Sequence, residues 1–328
     1  MRHRTLYIAQ LAILISVLFP FSVFSQTESV CSPIGYTILT INGIWTDKRD
    51  AQLNRDALDR FLDEYYDNES LTIDYLHNPS HLAGLGDIVK TIEQGLFDTE
   101  TVDDYDLVEM LRAASEKVKT RKLLIVGHSQ GNFYANAFYK RATAPSSDGA
   151  SVPLESIGVY SVATPSSYVA GDGEYITSET DKAIAGIVGR VLRKDILPTN
   201  TRIEEVANDT GLTAGHSFSD VYLKYRGAEI VGGIEKSLYK LTPKHTNILQ
   251  NVGMLEDATS PCIAAPERTL AHKAAGLAFA VADPAAAGAK LAVVGAVKGV
   301  NAVGLAVGIE LPVKYDFGER AFCSSLLG

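Results

Sequence analysis

Gly127-His128-Ser129-Gln130-Gly131 sets a serine between two glycines, directly after the apolar run Lys122-Leu-Leu-Ile-Val126 and directly before the helix-like stretch Asn132 to Arg141. Five-residue patterns with three fixed positions recur by chance, so the strand-turn-helix context carries the information here. At such a turn the serine hydroxyl is lifted clear of the sheet. The following helix aims its first N–H groups and its positive dipole end at any negative charge forming there. Gly127 and Gly131 leave strand and helix room to approach. An ordinary serine in a glycine-rich turn is the bland alternative.

A serine hydroxyl is a weak nucleophile at neutral pH and needs a base that a third group orients. Downstream of Ser129 the histidines are His216, His245 and His272. His216 is favoured, because Gly215 before it lets a loop histidine swing over the serine, and the amphipathic Phe218, Val221, Tyr222, Tyr225 follows. His245, after Pro243-Lys244, looks like a helix start, and His272 lies in an alanine-rich tail. His128 is expected to pack beside the turn and not to act as base. For the acid, Asp181 comes first: it follows the strand-like Tyr175-Ile-Thr-Ser178 and stands 52 residues after Ser129 and 35 before His216, room for one crossover. Asp195, ahead of Ile196-Leu197-Pro198, is the second candidate. Two backbone donors are expected to hold an oxyanion: the amide of Gln130 and that of Ile44, with Trp45 next in line. No His-Glu-x-x-His or clustered ligand spacing appears, so neither metal nor other cofactor is expected.

These residues need a frame. Tyr36 to Ile41, ended by Asn42-Gly43, reads as a buried strand, and Ser70 to Leu76 as a second. Between them, Leu53, Ala57, Phe61 and Tyr65 recur every four positions, which predicts a helix over 50–66. A largely helical stretch runs to about Lys119, its last helix beginning at Asp103-Asp104. Lys122 to Val126 suits a central parallel strand covered on both faces. Further strands are expected at Ser156 to Val162 and Glu174 to Ser178. The alternation predicts an α/β fold with a doubly wound, mostly parallel sheet, whose ligands sit at the carboxyl ends of the strands.

The chain has 328 residues, 46% hydrophobic and 21% charged, enough to bury a sizeable core. Residues 1–25 open with Arg2 and Arg4, continue through the apolar Leu6 to Phe24, and end at Val23-Phe24-Ser25, the order of a secretory signal peptide cut near Ser25. An uncleaved anchor is the alternative. Removing two arginines and no acid takes the formal charge from −9 to −11, a balance with no footprint for nucleic acid. Of Cys31, Cys262 and Cys323, two are expected to pair in an exported protein; Cys262–Cys323 and Cys31–Cys262 both remain open. Residues 253–328 form an Ala/Gly-rich extension, with fourteen alanines over 271–308, expected as a docked helical hairpin, a substrate-capping tail or a membrane-contacting one.

The Gly127–Gly131 motif, the turn at Asn42-Gly43 and the Val162-Ala-Thr-Pro165 segment after a strand resemble the α/β-hydrolase superfamily, on its lipase and esterase-like side. The resemblance spans about residues 35–250, within a body of 26–252. It implies an α/β-hydrolase fold and a serine, histidine and aspartate (Ser129, His216, Asp181) that cleave a small-molecule or lipid ester through an acyl-enzyme. Two departures are Asn42 where a His-type turn is usual, and the lack of a single acid signature. An acyltransferase on the same machinery, or a binding protein on that scaffold, are the competing readings. Amino-terminal sequencing of the exported protein is expected to begin at Gln26; a start at Met1 would mark an anchor instead.

Overall fold

The computed structural model describes residues 31–43, 46–78, 104–145, 151–191, 195–211, 213–244 and 261–268. The two arms of the chain read above as leader and extension therefore lie outside the described residues, apart from 261–268.

Six strands form one sheet: β1 (Ser32–Ile41), β2 (Tyr65–Tyr66), β3 (Glu69–Leu76), β4 (Thr120–His128), β5 (Ile157–Val162) and β6 (Glu174–Ile176). Their order across the sheet is β2-β3-β1-β4-β5-β6, and every pairing is parallel except the β2–β3 hairpin. From β1 the chain crosses to β3 on one side, then returns to β4 on the other, so the order reverses between β1 and β4. At such a switch point the loops leaving the two strands diverge and open a crevice. Register puts the strand ends level there, with Ile41 opposite Gly127 and His128 opposite Val162.

Alternation along the central strands divides the core in two. On one face Ile38, Leu124, Val126, Tyr160 and Val162 pack with Leu58 of helix α1 (Lys48–Asp59) and with Ile230, Ile234 and Leu238 of a C-terminal helix. On the other, Leu39, Ile41, Leu123, Ile125, Ile157 and Val159 pack with Leu107, Met110 and Leu111 of α2 (Asp104–Lys117) and with Tyr134, Ala135 and Phe138 of α3 (Gly131–Thr143). Both faces are covered, which is why Leu123 to Val126 of β4 is apolar without a break. Ile38, Leu124 and Ile125 are fully buried, and each contributes roughly 1.5–3 kcal/mol of transfer free energy. Two further longer helices among the described residues are α4 (Lys182–Val191), with π-type hydrogen bonds, and α5 (Lys224–Tyr239), which continues a π-helical turn over Phe218–Leu223.

The helix expected over 50–66 is shorter than its periodicity suggests. It is capped at Asp47, whose side chain accepts the Asp50 N–H at 2.8 Å, and ends at Asp59. Its buried face is Ala51, Ala57 and Leu58, while Leu53, Phe61 and Tyr65 are exposed. The chain turns because Asp67 and Asn68 both adopt positive φ (50° and 61°), the conformation of a tight two-residue hairpin turn, which makes Tyr65-Tyr66 a strand.

At the amino ends of the strands, Lys122 is buried against the Tyr36 ring (3.7 Å) and paired with Glu69 at 2.6 Å. The first described residue, Cys31, is bonded to Cys262, closing 231 residues of sequence. Arg268 with Glu109 (2.6 Å), and Arg112 with the Pro266 carbonyl (2.7 Å), fasten the same segment to α2. Closing so long a loop restricts the unfolded chain, so Cys31→Ala is expected to lower the free energy of unfolding by about 2–5 kcal/mol in urea titrations. A reductant should reproduce that loss in the parent protein and leave the variant unchanged.

Candidate functional site

Ser129 follows β4 at the switch point, in a left-handed backbone conformation (φ 56°) that is uncommon and costly for a residue with a side chain. The neighbouring contacts hold it there. Its N–H donates to the Val162 carbonyl (3.1 Å), and its own carbonyl accepts from the Asn132 N–H (3.0 Å). Buried Asn132 adds a second clamp, donating from Nδ2 to the carbonyls of Ser129 (2.9 Å) and Val162 (3.0 Å). The start of α3 runs so close to the end of β1 that a side-chain carbon on Gly131 would collide with the Ile41 carbonyl and fall 2.7 Å from that of Asn42. Only glycine fits.

The turn after β1 faces the serine: a side-chain carbon on Gly43 would lie 2.7 Å from Ser129 Cβ. Buried amides brace that turn. Asn42 accepts the Asn78 N–H at 2.9 Å and donates to the Gly43 carbonyl at 2.9 Å, and Asn78 Nδ2 donates to Gln130 Oε1 at 2.9 Å. The ends of β1, β3 and β4 are thus tied through side chains where no strand pairing remains. Gln130, read as an oxyanion donor, begins the turn into α3. Ile44, read as the other, and Trp45 lie outside the described residues.

Asp181 opens α4 as its cap. Its Oδ1 accepts the N–H groups of Ala183 and Ile184, both at 3.0 Å, and its side chain is fully buried. The loop ahead of α5 brings His216 to it. Gly215 takes φ +77°, and a side chain there would fall 2.6 Å from the Thr180 carbonyl, so glycine sets the approach of this loop to the acid. Lys182 N–H donates to the Ala214 carbonyl at 2.9 Å, and Ser217 caps the next turn by accepting from the Asp220 N–H at 3.1 Å. The result is one hydrogen-bonded line: Asp181 Oδ2 to His216 Nδ1, 2.8 Å, and His216 Nε2 to Ser129 Oγ, 2.8 Å.

The structure therefore brings together Ser129, His216, Asp181 and Gln130. Asp195 is exposed in the segment after α4, and His245 and His272 lie outside the described residues. Such an arrangement can activate a hydroxyl: Nε2 accepts its proton, and a carboxylate at Nδ1 fixes the tautomer and stabilises the imidazolium that forms. No group of three or more His, Cys, Asp or Glu that could hold a metal occurs among the described residues.

Three supporting residues carry no motif of their own: Asn78, Asn132 and Tyr222, whose hydroxyl reaches Asp181 Oδ2 at 3.0 Å. Asn132 stands next to the Gly127–Gly131 motif, and Asn78 follows the end of β3 by two residues. Tyr222 stood out in the sequence only as part of the amphipathic stretch after His216, because its partner is 41 residues away. His128 packs beside the turn, its Nε2–H donating to the His216 carbonyl at 2.9 Å. Some of its surface stays accessible, yet its ring centre lies 5.0 Å from that of His216 and 5.3 Å from that of Phe218, tilted against both.

No protein-family model and no curated protein matches the sequence. Four chains among the solved structures are similar to it. One is a Trichoderma reesei cutinase in complex with a C11Y4 phosphonate inhibitor: 17% identity, 50% of this chain and 71% of that one covered, TM-score 0.28. A likeness that distant says nothing about what the site does.

Loss of water around the His128 ring lowers its pKa to about 3, with the neighbouring His216 adding to the effect. The unfolded chain binds a proton near pH 6.5 that the folded one refuses until about pH 3. Stability contributed by neutral His128 is therefore complete above pH 6.5 and lost as pH falls, by up to about 1.4 kcal/mol per unit. His128→Gln is expected to flatten the pH dependence of the urea midpoint between pH 4 and 6.5; a curve parallel to that of the parent would contradict this.

Proposed function

We propose that this chain is an exported serine hydrolase of the α/β-hydrolase type that cleaves carboxylic esters. The observation that carries the reading is the continuous line from Asp181 through His216 to Ser129, two contacts of 2.8 Å each, ending on a serine held in a strained turn at the carboxyl edge of a parallel sheet. In the proposed reaction Ser129 Oγ attacks the ester carbonyl carbon while its proton passes to His216 Nε2. The tetrahedral oxyanion is held by the backbone amides of Gln130 and Ile44, each donor contributing a few kcal/mol. Collapse expels the alcohol, which takes the proton from His216 and leaves an acyl group on Ser129. Water, deprotonated by the same imidazole, then releases the acid.

Export is part of the proposal. It rests on the apolar leader, and the Cys31–Cys262 bond is compatible with an oxidising compartment. The substrate is proposed as a small-molecule or lipid ester, without metal or other cofactor.

A fluorophosphonate probe is expected to label the mature protein at Ser129, located by mass spectrometry. Ser129→Ala should abolish labelling and lower turnover of a p-nitrophenyl ester by roughly 10³-fold or more. Adding a competing alcohol tests the acceptor: free acid as the main product fits a hydrolase, a transferred ester an acyltransferase. A folded parent protein that the probe leaves unlabelled would overturn the reading.

A further inference from the structure

We propose that Tyr222 is a positioning residue for the acid of this site: its hydroxyl, oriented by the Ser178 N–H, fixes the Asp181 oxygen that receives His216. The inference rests on the reading above, in which Ser129, His216 and Asp181 act together.

Ser178 N–H donates to Tyr222 Oη at 3.0 Å, so that oxygen is engaged as an acceptor and its own proton is directed at Asp181 Oδ2, also 3.0 Å away. Oδ2 thus receives two donors, Tyr222 O–H and His216 Nδ1–H, while Oδ1 receives the amides of Ala183 and Ile184. A carboxylate has about four lone-pair sites, and here all four are matched. Among the described residues no lysine or arginine pairs with this fully buried carboxylate. Its charge is carried by neutral dipoles of fixed direction, which hold the side chain in one rotamer and leave His216 the one remaining place on Oδ2.

Tyr222 is itself held rigidly. It is fully buried, and it lies on the π-helical turn directly after the His216 loop, where its N–H reaches back five residues to the Ser217 carbonyl. Burial, with the Asp181 charge beside it, keeps the phenol protonated far above its ordinary range. It is a permanent donor. One short segment, 216–222, therefore supplies both the imidazole and the hydroxyl that meet on the same oxygen, so the spacing between them is set within seven residues.

Two substitutions test this. Tyr222→Phe removes only the hydroxyl, and site-specific 3-fluorotyrosine at 222 makes it a stronger donor with little change in shape. Ile234→Val, in the same core, serves as a control for simple loss of packing. In Tyr222→Phe, kcat for a p-nitrophenyl ester is expected to fall about ten-fold with KM within about two-fold. The proton resonance of His216 Nδ1–H, assigned by its disappearance in His216→Gln, should move downfield in Tyr222→Phe, where a competing donor is gone, and upfield with 3-fluorotyrosine. Ile234→Val should lower stability and change neither readout. Unchanged kcat and an unmoved resonance in both Tyr222 proteins would reduce the tyrosine to a core residue and overturn the proposal. Should the parent protein prove inert to esters and to fluorophosphonate, the hydrolase reading fails, and the resonance alone still decides whether Tyr222 orients the Asp181–His216 pair.

Discussion

Ser129 stands in a left-handed backbone conformation at the one place in the sheet where two parallel strands end level and their loops part. That single strained residue constrains most of what surrounds it. The conformation is tolerated only because its N–H and C=O groups are held from several sides, by the end of β5, by Asn132 and by the first turn of α3. In turn, α3 can begin there only if Gly131 lets it press against the carbonyls at the end of β1. Strain at one backbone position is thus spread over three strands and a helix, each otherwise stabilised by its own buried face.

A second constraint is electrostatic. The carboxylate of Asp181 is buried completely, and an isolated charge there would be prohibitively costly. Four hydrogen-bond donors offset that cost, two of them from the helix it caps. The same logic runs in the opposite direction at His128, which desolvation keeps neutral and which holds the His216 backbone through a single N–H. Both meet His216, the carboxylate at its Nδ1 and the His128 ring at its backbone carbonyl. Each is positioned by its surroundings and not by pairing with the other.

The distant ends of the molecule are secured differently. Lys122, Glu69 and Tyr36 close the amino edge of the sheet, and the Cys31–Cys262 bond with the Arg268 and Arg112 contacts ties a late segment to the outside of α2. These devices sit at the opposite ends of the strands from Ser129. The two edges therefore have separate supports, ionic and covalent at one, amide networks and backbone geometry at the other.

Much of this was legible in the residues themselves. The unbroken apolar run from Leu123 to Val126 in β4 already pointed to a strand covered on both faces, since alternate side chains must both be buried. The Gly127–Gly131 pattern between strand and helix located the turn, and a glycine before a loop histidine singled out His216. Local periodicity misled where a turn intervened: the four-residue recurrence through Phe61 and Tyr65 continued past Asp59, but two residues at positive φ convert its end into a hairpin. Asp181 stood ahead of Asp195 in the sequence only by its place after a strand-like run and by its spacing to Ser129 and His216. The crossover bringing the start of α4 against the Gly215 loop leaves Asp181 buried at 2.8 Å from His216 and Asp195 exposed. Likewise no spacing rule pairs Cys31 with Cys262, or Tyr222 with Asp181, across 231 and 41 residues. Pattern and composition report which faces a segment must bury, because burial is a property of single residues. Which two side chains meet depends on how whole elements pack, and that was decided by the tertiary structure alone.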